Sequence, residues 1–569
     1  MDIQNKTVLV LGGWGLVGSA ICRNLMEERP KRIIVTSLLE REAKEAVDLL
    51  RKEFPNAGKD FFVPWWGNIF HRYAFKDRAK DELLRDPKTR AAMIDDLLDE
   101  VTSNLLKRSS IYRLLAAHKP DIIIDCINSA TAIAYQDLFS VARSVRSAIR
   151  KGKRKSSSQL IEATERLLAV QYVPQLIRHV QILYRSMQIV KTNIYVKIGT
   201  SGTGGMGLNI PYTHSEERPS SVLLSKSSVA GAHTLLLFLM GRTPNGPITK
   251  EIKPTAAIAW KKIGFGEIRK RGKAIELVDC PPSQGVRLHS KLQLKLDKPI
   301  WKSTNRTLRA VFIDTGENGT FSRAEFEAIS TPGQMEFVTP EEIADSVIFE
   351  IKGGNTGHDI INALDNASLA PTYRAGFMFE NALKQLKMLE EDTNSKSIAF
   401  EMLGPPRLSK LLYEAHLLQL TYGSVRQALE ASPKDMSQNL SFLLETNSEL
   451  RSQIISIGIP ILMPDGNTLL RGNEIKIPPY RGDNELKITT ASLNAWAHDG
   501  WVDLRLKNME RWQQRFRAIV EENRAISPSD TSSRFFRSKI YWNNFSEIDP
   551  GKIVGWIFTV EEKGRRMKA

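Results

Sequence analysis

Two rhythms of apolar and polar positions alternate along the N-terminal part of the chain. Thr7-Val8-Leu9-Val10-Leu11 is a continuous, β-branched apolar run, the pattern of a strand covered on both faces. Residues 19 to about 28 carry helical spacing that Pro30 stops, and Arg32-Ile33-Ile34-Val35-Thr36 reads as a second buried strand. Strand, helix and strand in succession form a βαβ unit, which implies a parallel sheet with a right-handed crossover. Further buried strands are predicted at 61–65, 121–125 and 193–198.

The strands are unevenly spaced. Segments at about 70–117 and 136–190, rich in charge and helix formers, read as helical insertions in an α/β core. From about residue 245 the pattern loosens into shorter strands, and Thr339-Pro340-Glu341-Glu342 has the form of a capping box that opens a helix. Residues 374–455 are helix-rich, and 457–477 read as a hairpin around Pro464-Asp465-Gly466-Asn467. Residues 491–525 are helical again, with Trp496, Trp501 and Trp512 as candidates for a small core. The expected fold class is α/β, a doubly wound parallel sheet with helical insertions over 1–370. A mixed, mainly helical α+β domain of unassigned role is expected at 371–569.

Composition changes this picture modestly. Lys plus Arg number 80 against 64 Asp plus Glu, a net charge of +16 that favours anionic partners. Cys22, Cys126 and Cys280 lie far apart with no Cys-x-x-Cys pair, which argues against a disulfide framework or a zinc ribbon and suits a reducing compartment. No apolar run approaches the roughly 18 residues of a membrane span, and the N-terminus reaches strand sequence without a signal-type apolar core. A soluble, cytoplasmic protein is expected. No metal motif appears. The basic run Arg143, Arg146, Arg150, Lys151, Lys153, Arg154 and Lys155 lacks interleaved aromatics. It is read as a solvated helix end in preference to a nucleic-acid or lipid surface.

Candidate chemistry begins at Gly12-Gly13-x-Gly15-x-x-Gly18, between the first strand and the first helix. Glycines there permit a tight turn and a close approach of backbone to a pyrophosphate, and the helix N-terminus offers free N–H groups. This makes the sheet a Rossmann-type dinucleotide-binding fold. The second strand ends Val35-Thr36-Ser37, without the acid that usually takes the ribose 2′-hydroxyl of NAD. Ser37 with Arg41 or Arg32 would tolerate a 2′-phosphate, which slightly favours NADP over NAD.

Together with later segments, this loop resembles the extended short-chain dehydrogenase/reductase superfamily, in particular its NAD-dependent epimerase/dehydratase branch, over roughly 1–365. Val63-Pro64-Trp65-Trp66-Gly67-Asn68 stands where that family has a strand and then Gly-Asp, whose acid contacts adenine. Lys119-Pro120-Asp121-Ile122-Ile123-Ile124 resembles the strand before the loop that passes the nicotinamide, here Asn128-Ser129-Ala130. Ile198-Gly199-Thr200-Ser201 resembles the strand end with the active-site hydroxyl, and Ile210-Pro211-Tyr212-Thr213-His214 the loop beyond it. Phe337-Val338-Thr339-Pro340 resembles a segment near the end of the domain. The resemblance implies cofactor contacts from Gly12, Gly13, Trp14, Gly15, Leu16, Val17, Gly18, Asn68, Ile69, Asn128 and Lys226, and it allows a homodimer.

The family's proton-transfer pair is Tyr-x-x-x-Lys on one helix, where i, i+4 spacing puts both side chains on one face. Here Ser221-Val222-Leu223-Leu224-Ser225-Lys226 keeps the lysine and has valine in place of tyrosine. Ser201 and Lys226 remain as catalytic candidates, with Tyr212, or less favourably His214, as a replacement for the missing tyrosine. The expected function is that of an NAD(P)-dependent oxidoreductase, epimerase or dehydratase acting by hydride transfer on a small, anionic, nucleotide-linked substrate. The alternative is a non-catalytic dinucleotide-binding sensor or scaffold, since a valine transfers no proton.

Overall fold

Buried aliphatic side chains on both faces define a six-stranded parallel sheet. Its strands are Thr7–Leu11 (β1), Arg32–Ser37 (β2), Phe62–Trp66 (β3), Ile122–Asp125 (β4), Ile194–Ile198 (β5) and Ile248–Ile252 (β6), in the order β3-β2-β1-β4-β5-β6. In this computed structural model the described residues are 1–134, 136, 138–150, 157–199, 221–254, 256–270, 272–296, 298–316, 319–331, 337–353, 372–402, 406–527, 529 and 537–562. The strand order reverses between β1 and β4, which opens a crevice at the carboxyl ends of those strands.

Alternation along each strand divides the core between the two faces. Val8, Val10, Ile33, Val35, Ile122, Ile124 and Val196 pack with the helices Leu16–Asn24 (α1) and Glu40–Glu53 (α2) and with the helix Pro340–Ile351. Leu9, Leu11, Ile34, Ile123 and Tyr195 face the other side. The helices on that side come from the two insertions. They are Lys80–Arg85 (α3), Pro87–Leu98 (α4), Ser103–Arg108 (α5) and Ser110–His118 (α6), then Ser129–Ala134 (α7), Leu138–Arg150 (α8), Ser157–Ala169 (α9) and Tyr172–Val190 (α10). Helix Ser221–Arg242 (α11) leads into β6. The capping box expected at Thr339 is formed, with the Thr339 hydroxyl bound by Glu342 N–H and the Glu342 carboxylate bound by Thr339 N–H.

The contacts divide the chain into two compact units, and the division does not follow a single crossing near 370. The sheet-bearing unit is built from segments within 1–207, 219–259 and 336–376, and the second unit mainly from 260–335 and 377–569. The physical reason lies in strand pairing. Lys262–Glu267, Arg309–Asp314 and Thr320–Phe321 form their own antiparallel sheet. Val286–Arg287 pairs with Thr468–Leu470, and Lys291–Gln293 with Glu485–Lys487. These are partners nearly two hundred positions away, with Lys291 to Glu485 at a separation of 194, which local sequence pattern does not reveal.

Within the second unit the expected hairpin is present, Ile461–Leu462 pairing antiparallel with Thr468–Leu470. Helix Pro406–Tyr422 is buried from Arg407 to Leu418. Its Glu414 accepts hydrogen bonds from the Asp503 N–H and the Trp512 indole N–H, both at 2.8 Å, and pairs with Lys410 at 3.2 Å. Trp501 and Trp512 are fully buried, as core residues should be.

Candidate functional site

The turn from β1 into α1 is held by its backbone N–H groups. Gly13 N–H donates to the Thr36 carbonyl at 2.8 Å, Gly12 N–H to the Thr36 hydroxyl at 3.2 Å, and Gly15 N–H to the Gly12 carbonyl at 3.1 Å. Gly12 has φ +79°, a left-handed conformation that favours glycine. A Cβ on Gly13 would stand 2.5 Å from Val35, and one on Gly18 would stand 2.3 Å from the Gly12 carbonyl oxygen. These two glycines are required by packing. Gly15 is different, because a Cβ there would meet only the Gly12 oxygen at 3.3 Å.

Gly15 is also the N-cap of α1 and offers no side-chain cap. The first intrahelical bond is Ser19 N–H to the Gly15 carbonyl, so the N–H groups of Leu16, Val17 and Gly18 precede any helical acceptor. Trp14 and Val17 pack against the core beneath the loop. The cradle therefore presents amide donors and the positive end of the helix dipole to whatever lies over Gly15.

At the end of β2 a carboxylate comes from the following helix. The Ser37 hydroxyl donates to the Glu42 carboxylate at 2.6 Å, so an acid from the first turn of α2 sits beside the strand end. Arg41 is exposed on the same turn. Arg32 lies at the opposite, amino-terminal end of β2, donating to the His118 carbonyl, and is too far along the strand to reach a nucleotide. After β3, the Asn68 side-chain oxygen accepts the Phe70 N–H and its own N–H donates to the Lys76 carbonyl. Its side-chain amide is the group left to face an adenine. The Ile69 side chain is buried in the core and only its backbone remains for such a role. Lys76 donates to the Trp66 carbonyl and lies 5.1 Å from the Trp66 ring centre.

The carboxyl ends of β4 and β5 hold a cluster that sequence reasoning missed. Asp125 and Lys197 are paired in register and form an ion pair at 3.0 Å, both essentially excluded from solvent. Tyr195 donates to Asp125 at 2.7 Å, and Lys197 also donates to the Ile127 carbonyl at 2.5 Å and reaches Ser129 at 3.3 Å. Burial alone would raise the Asp125 carboxyl. The Lys197 ammonium, the Tyr195 hydroxyl and the Ile127 N–H overcome it and hold that carboxyl below its usual range. Burial and then the Asp125 charge push the Tyr195 phenol well above its ordinary value. His179 on α10 and His233 on α11 are kept neutral, at about 4 and about 3, chiefly by burial.

Lys197 thus clamps the loop that carries Asn128, the residue expected to pass the nicotinamide. Asn128 is half-buried, and Lys226 on α11 is buried. Ser201, Tyr212 and His214 lie outside the described residues, as does the side chain of Val222. The available signal for the missed cluster was a charge ending an apolar strand, in Ile122-Ile123-Ile124-Asp125 and again in Tyr195-Val196-Lys197. Among the described residues no group of three or more His, Cys, Asp or Glu is placed to hold a metal, and no helix is long and apolar enough to cross a membrane.

No curated protein matches this chain. Among solved structures, the Bordetella bronchiseptica enzyme WbmH in complex with NAD+ is 10% identical, with 61% of this chain and 72% of that chain covered at a TM-score of 0.27. A short chain dehydrogenase/reductase family protein is 13% identical over 61% of this chain and 90% of its own, also at 0.27. Pen from Bacillus thuringiensis is 15% identical over 48% of this chain, which spans about half of that structure (54%), at 0.22. Residues 277–562, half of the chain, match the family described as the beta-methylindole-3-pyruvate reductase C-terminal domain. The match begins within the second unit and runs through the strand pairings that join 286–293 to 468–487. On that match, the chain belongs to the beta-methylindole-3-pyruvate reductase C-terminal domain family.

Proposed function

We propose that this protein is a nicotinamide-dependent reductase that converts the keto group of a small 2-oxo acid, of the arylpyruvate kind, into the hydroxy acid. The observation that carries the reading is the β1–α1 turn. Gly13 and Gly18 are fixed by protein atoms closer than 3 Å to any added Cβ, whereas at Gly15 a Cβ would meet only the Gly12 carbonyl oxygen at 3.3 Å, beside three N–H groups without helical acceptors. That is the cradle a pyrophosphate fits. The family description supplies the reductase chemistry and the class of substrate. The dinucleotide, when bound, supplies the hydride.

The chain's own residues have three tasks. The Gly12–Gly18 turn and the Asn68 amide bind the dinucleotide. Glu42, held on Ser37, places a carboxylate where a ribose 2′-hydroxyl would bind and a 2′-phosphate would be repelled, so NADH is preferred over NADPH. Lys197 fixes the Asn128 loop, and Lys226 takes the nicotinamide ribose hydroxyls. Ser201 holds the substrate oxygen, which receives its proton from Tyr212 in place of the absent tyrosine.

The test follows reduced-nicotinamide absorbance with indole-3-pyruvate and phenylpyruvate as substrates. Turnover is expected with NADH, abolished in Gly15→Val while the chain stays folded, and reduced at least tenfold in Ser201→Ala with unchanged NADH affinity. NADH affinity that is identical in wild type and Gly15→Val would remove the reading.

A further inference from the structure

The helices inserted between β3 and β5 enclose a cavity that the dinucleotide reading touches only at Asn68. It offers about 110 Å³ of space to the centres of water-sized molecules. At about 10–15 Å³ per water on that measure, this is room for roughly seven to eleven non-hydrogen atoms. Most of the wall is apolar, with Met93, Leu105, Ile133 and Ile182 among the side chains that form it.

Its polar groups are unusual in what they lack. Arg178 Nη1, His71 Nδ1 and His179 Nε2 are all buried without a hydrogen-bond partner, and all three residues line this one cavity. Buried polar atoms are normally satisfied, so three orphans around one void ask for an occupant. The charge is unbalanced as well. Arg72 is neutralised by Asp96 at 2.8 Å, but the Lys80 ammonium has no carboxylate within ion-pair distance among the described residues and rests on the Gln175 side-chain oxygen at 3.1 Å. Burial draws that ammonium down to about 7, against the opposing pull of the Asp81 charge.

We propose that this cavity binds a small monocarboxylate with an aromatic or branched apolar body, its carboxylate on Lys80 and Arg178 and its body among the aliphatic side chains. The two neutral imidazoles supply hydrogen bonds at the rim of the carboxylate. The site is independent of the β1–α1 cradle, although its lining extends to Asn68 and Ile69 after β3.

Calorimetric titration of the full chain with phenylacetate, and with phenylacetamide as an uncharged ligand of equal size, tests the proposal. Phenylacetate is expected to bind one site saturably and at least tenfold more tightly than the amide. Lys80→Met should erase that difference, with Lys80→Gln as a second variant should the first fail to fold. Ala169→Phe, at a buried alanine of the cavity wall, should abolish binding of both ligands. Gly15→Val and Lys226→Ala should leave phenylacetate binding unchanged, which separates this site from the proposed reductase site. The proposal is overturned by an absence of saturable binding, by equal affinity for the two ligands, or by loss of binding in Gly15→Val or Lys226→Ala.

Discussion

At the ends of β1 and β2 the sheet is finished by glycine and main-chain hydrogen bonds, whereas at the ends of β4 and β5 it is finished by buried charge. The first end is built from Gly12, whose φ of +79° favours glycine, and from Gly13 and Gly18, where neighbours occupy the space a Cβ would need. The second is built from Asp125, Lys197 and Tyr195, whose side chains are present and paired out of solvent. The glycine end presents N–H groups that precede any helical acceptor and tolerates few residue types. The charged end closes on itself and holds the adjacent loop through the Ile127 carbonyl and Ser129. On the proposed reading one end receives the dinucleotide, and the other is a rigid support beside it.

The largest effect should come from breaking the support. Lys197→Met leaves Asp125 ionised and unpaired in the interior and is expected to lower unfolding free energy by about 3–5 kcal/mol. Combining it with Asp125→Asn should recover much of that loss, because the amide can still accept the Tyr195 hydrogen bond. Denaturant melts of the three variants decide it, and additive losses in the double variant would mean the pair is not coupled.

A pH titration of stability reads the same end. His179 and His233 are held at about 4 and about 3 in the folded chain against an ordinary 6.5, with burial the first cause. Between 6.5 and about 4 the unfolded chain binds protons that the folded chain refuses. Stability should therefore fall as pH falls through that window, by about 1.4 kcal/mol per pH unit for each histidine. His179→Phe should flatten the slope by about that amount, and an unchanged slope would mean that the imidazole is already solvated. Asp125 adds its loss only at lower pH, since its folded carboxyl stays ionised below the usual range.

The glycine end should respond in a smaller and more selective way. Gly18→Ala forces a methyl against the Gly12 carbonyl and should cost about 1–3 kcal/mol of stability. Gly15→Ala should cost less than about 0.5 kcal/mol while weakening NADH binding, because the crowding would be with the ligand. Equal destabilisation by both would erase the distinction between packing and receptor glycines. The smallest effect concerns cofactor choice. Glu42→Ala should shift preference toward NADPH by about tenfold, or about 1.4 kcal/mol, in a direct comparison of the two affinities.

The two ends were not equally legible in the sequence. Strands β1 to β5 fall within one residue of the expected spans, since continuous β-branched runs between glycine and proline signals leave few alternatives. The strand–turn–helix placement of the glycine loop was legible for the same reason, as its signals are local. The Asp125–Lys197 pair was not, because it depends on a register between strands that the sequence does not state. Glu42 was hidden differently. Its carboxylate belongs to the next helix and reaches the strand end through a hydrogen bond from Ser37. The unit boundary escaped because the segments 286–287 and 291–293 find their partners beyond residue 460.

Strand order also sets a sequence of events in time. β1 meets β2 across 25 positions, Thr7 opposite Arg32, while Asp125 and Tyr195 are 70 positions apart. Closing the longer loop costs only about 1 kcal/mol more in chain entropy. It nonetheless requires the helices from α7 to α10 to be compact before β5 can dock, so the β1–β2–β3 layer has the kinetic advantage. On that order the Asp125–Lys197 pair is expected to form late and to act as a latch on the finished sheet. Losing it should accelerate unfolding much more than it slows folding.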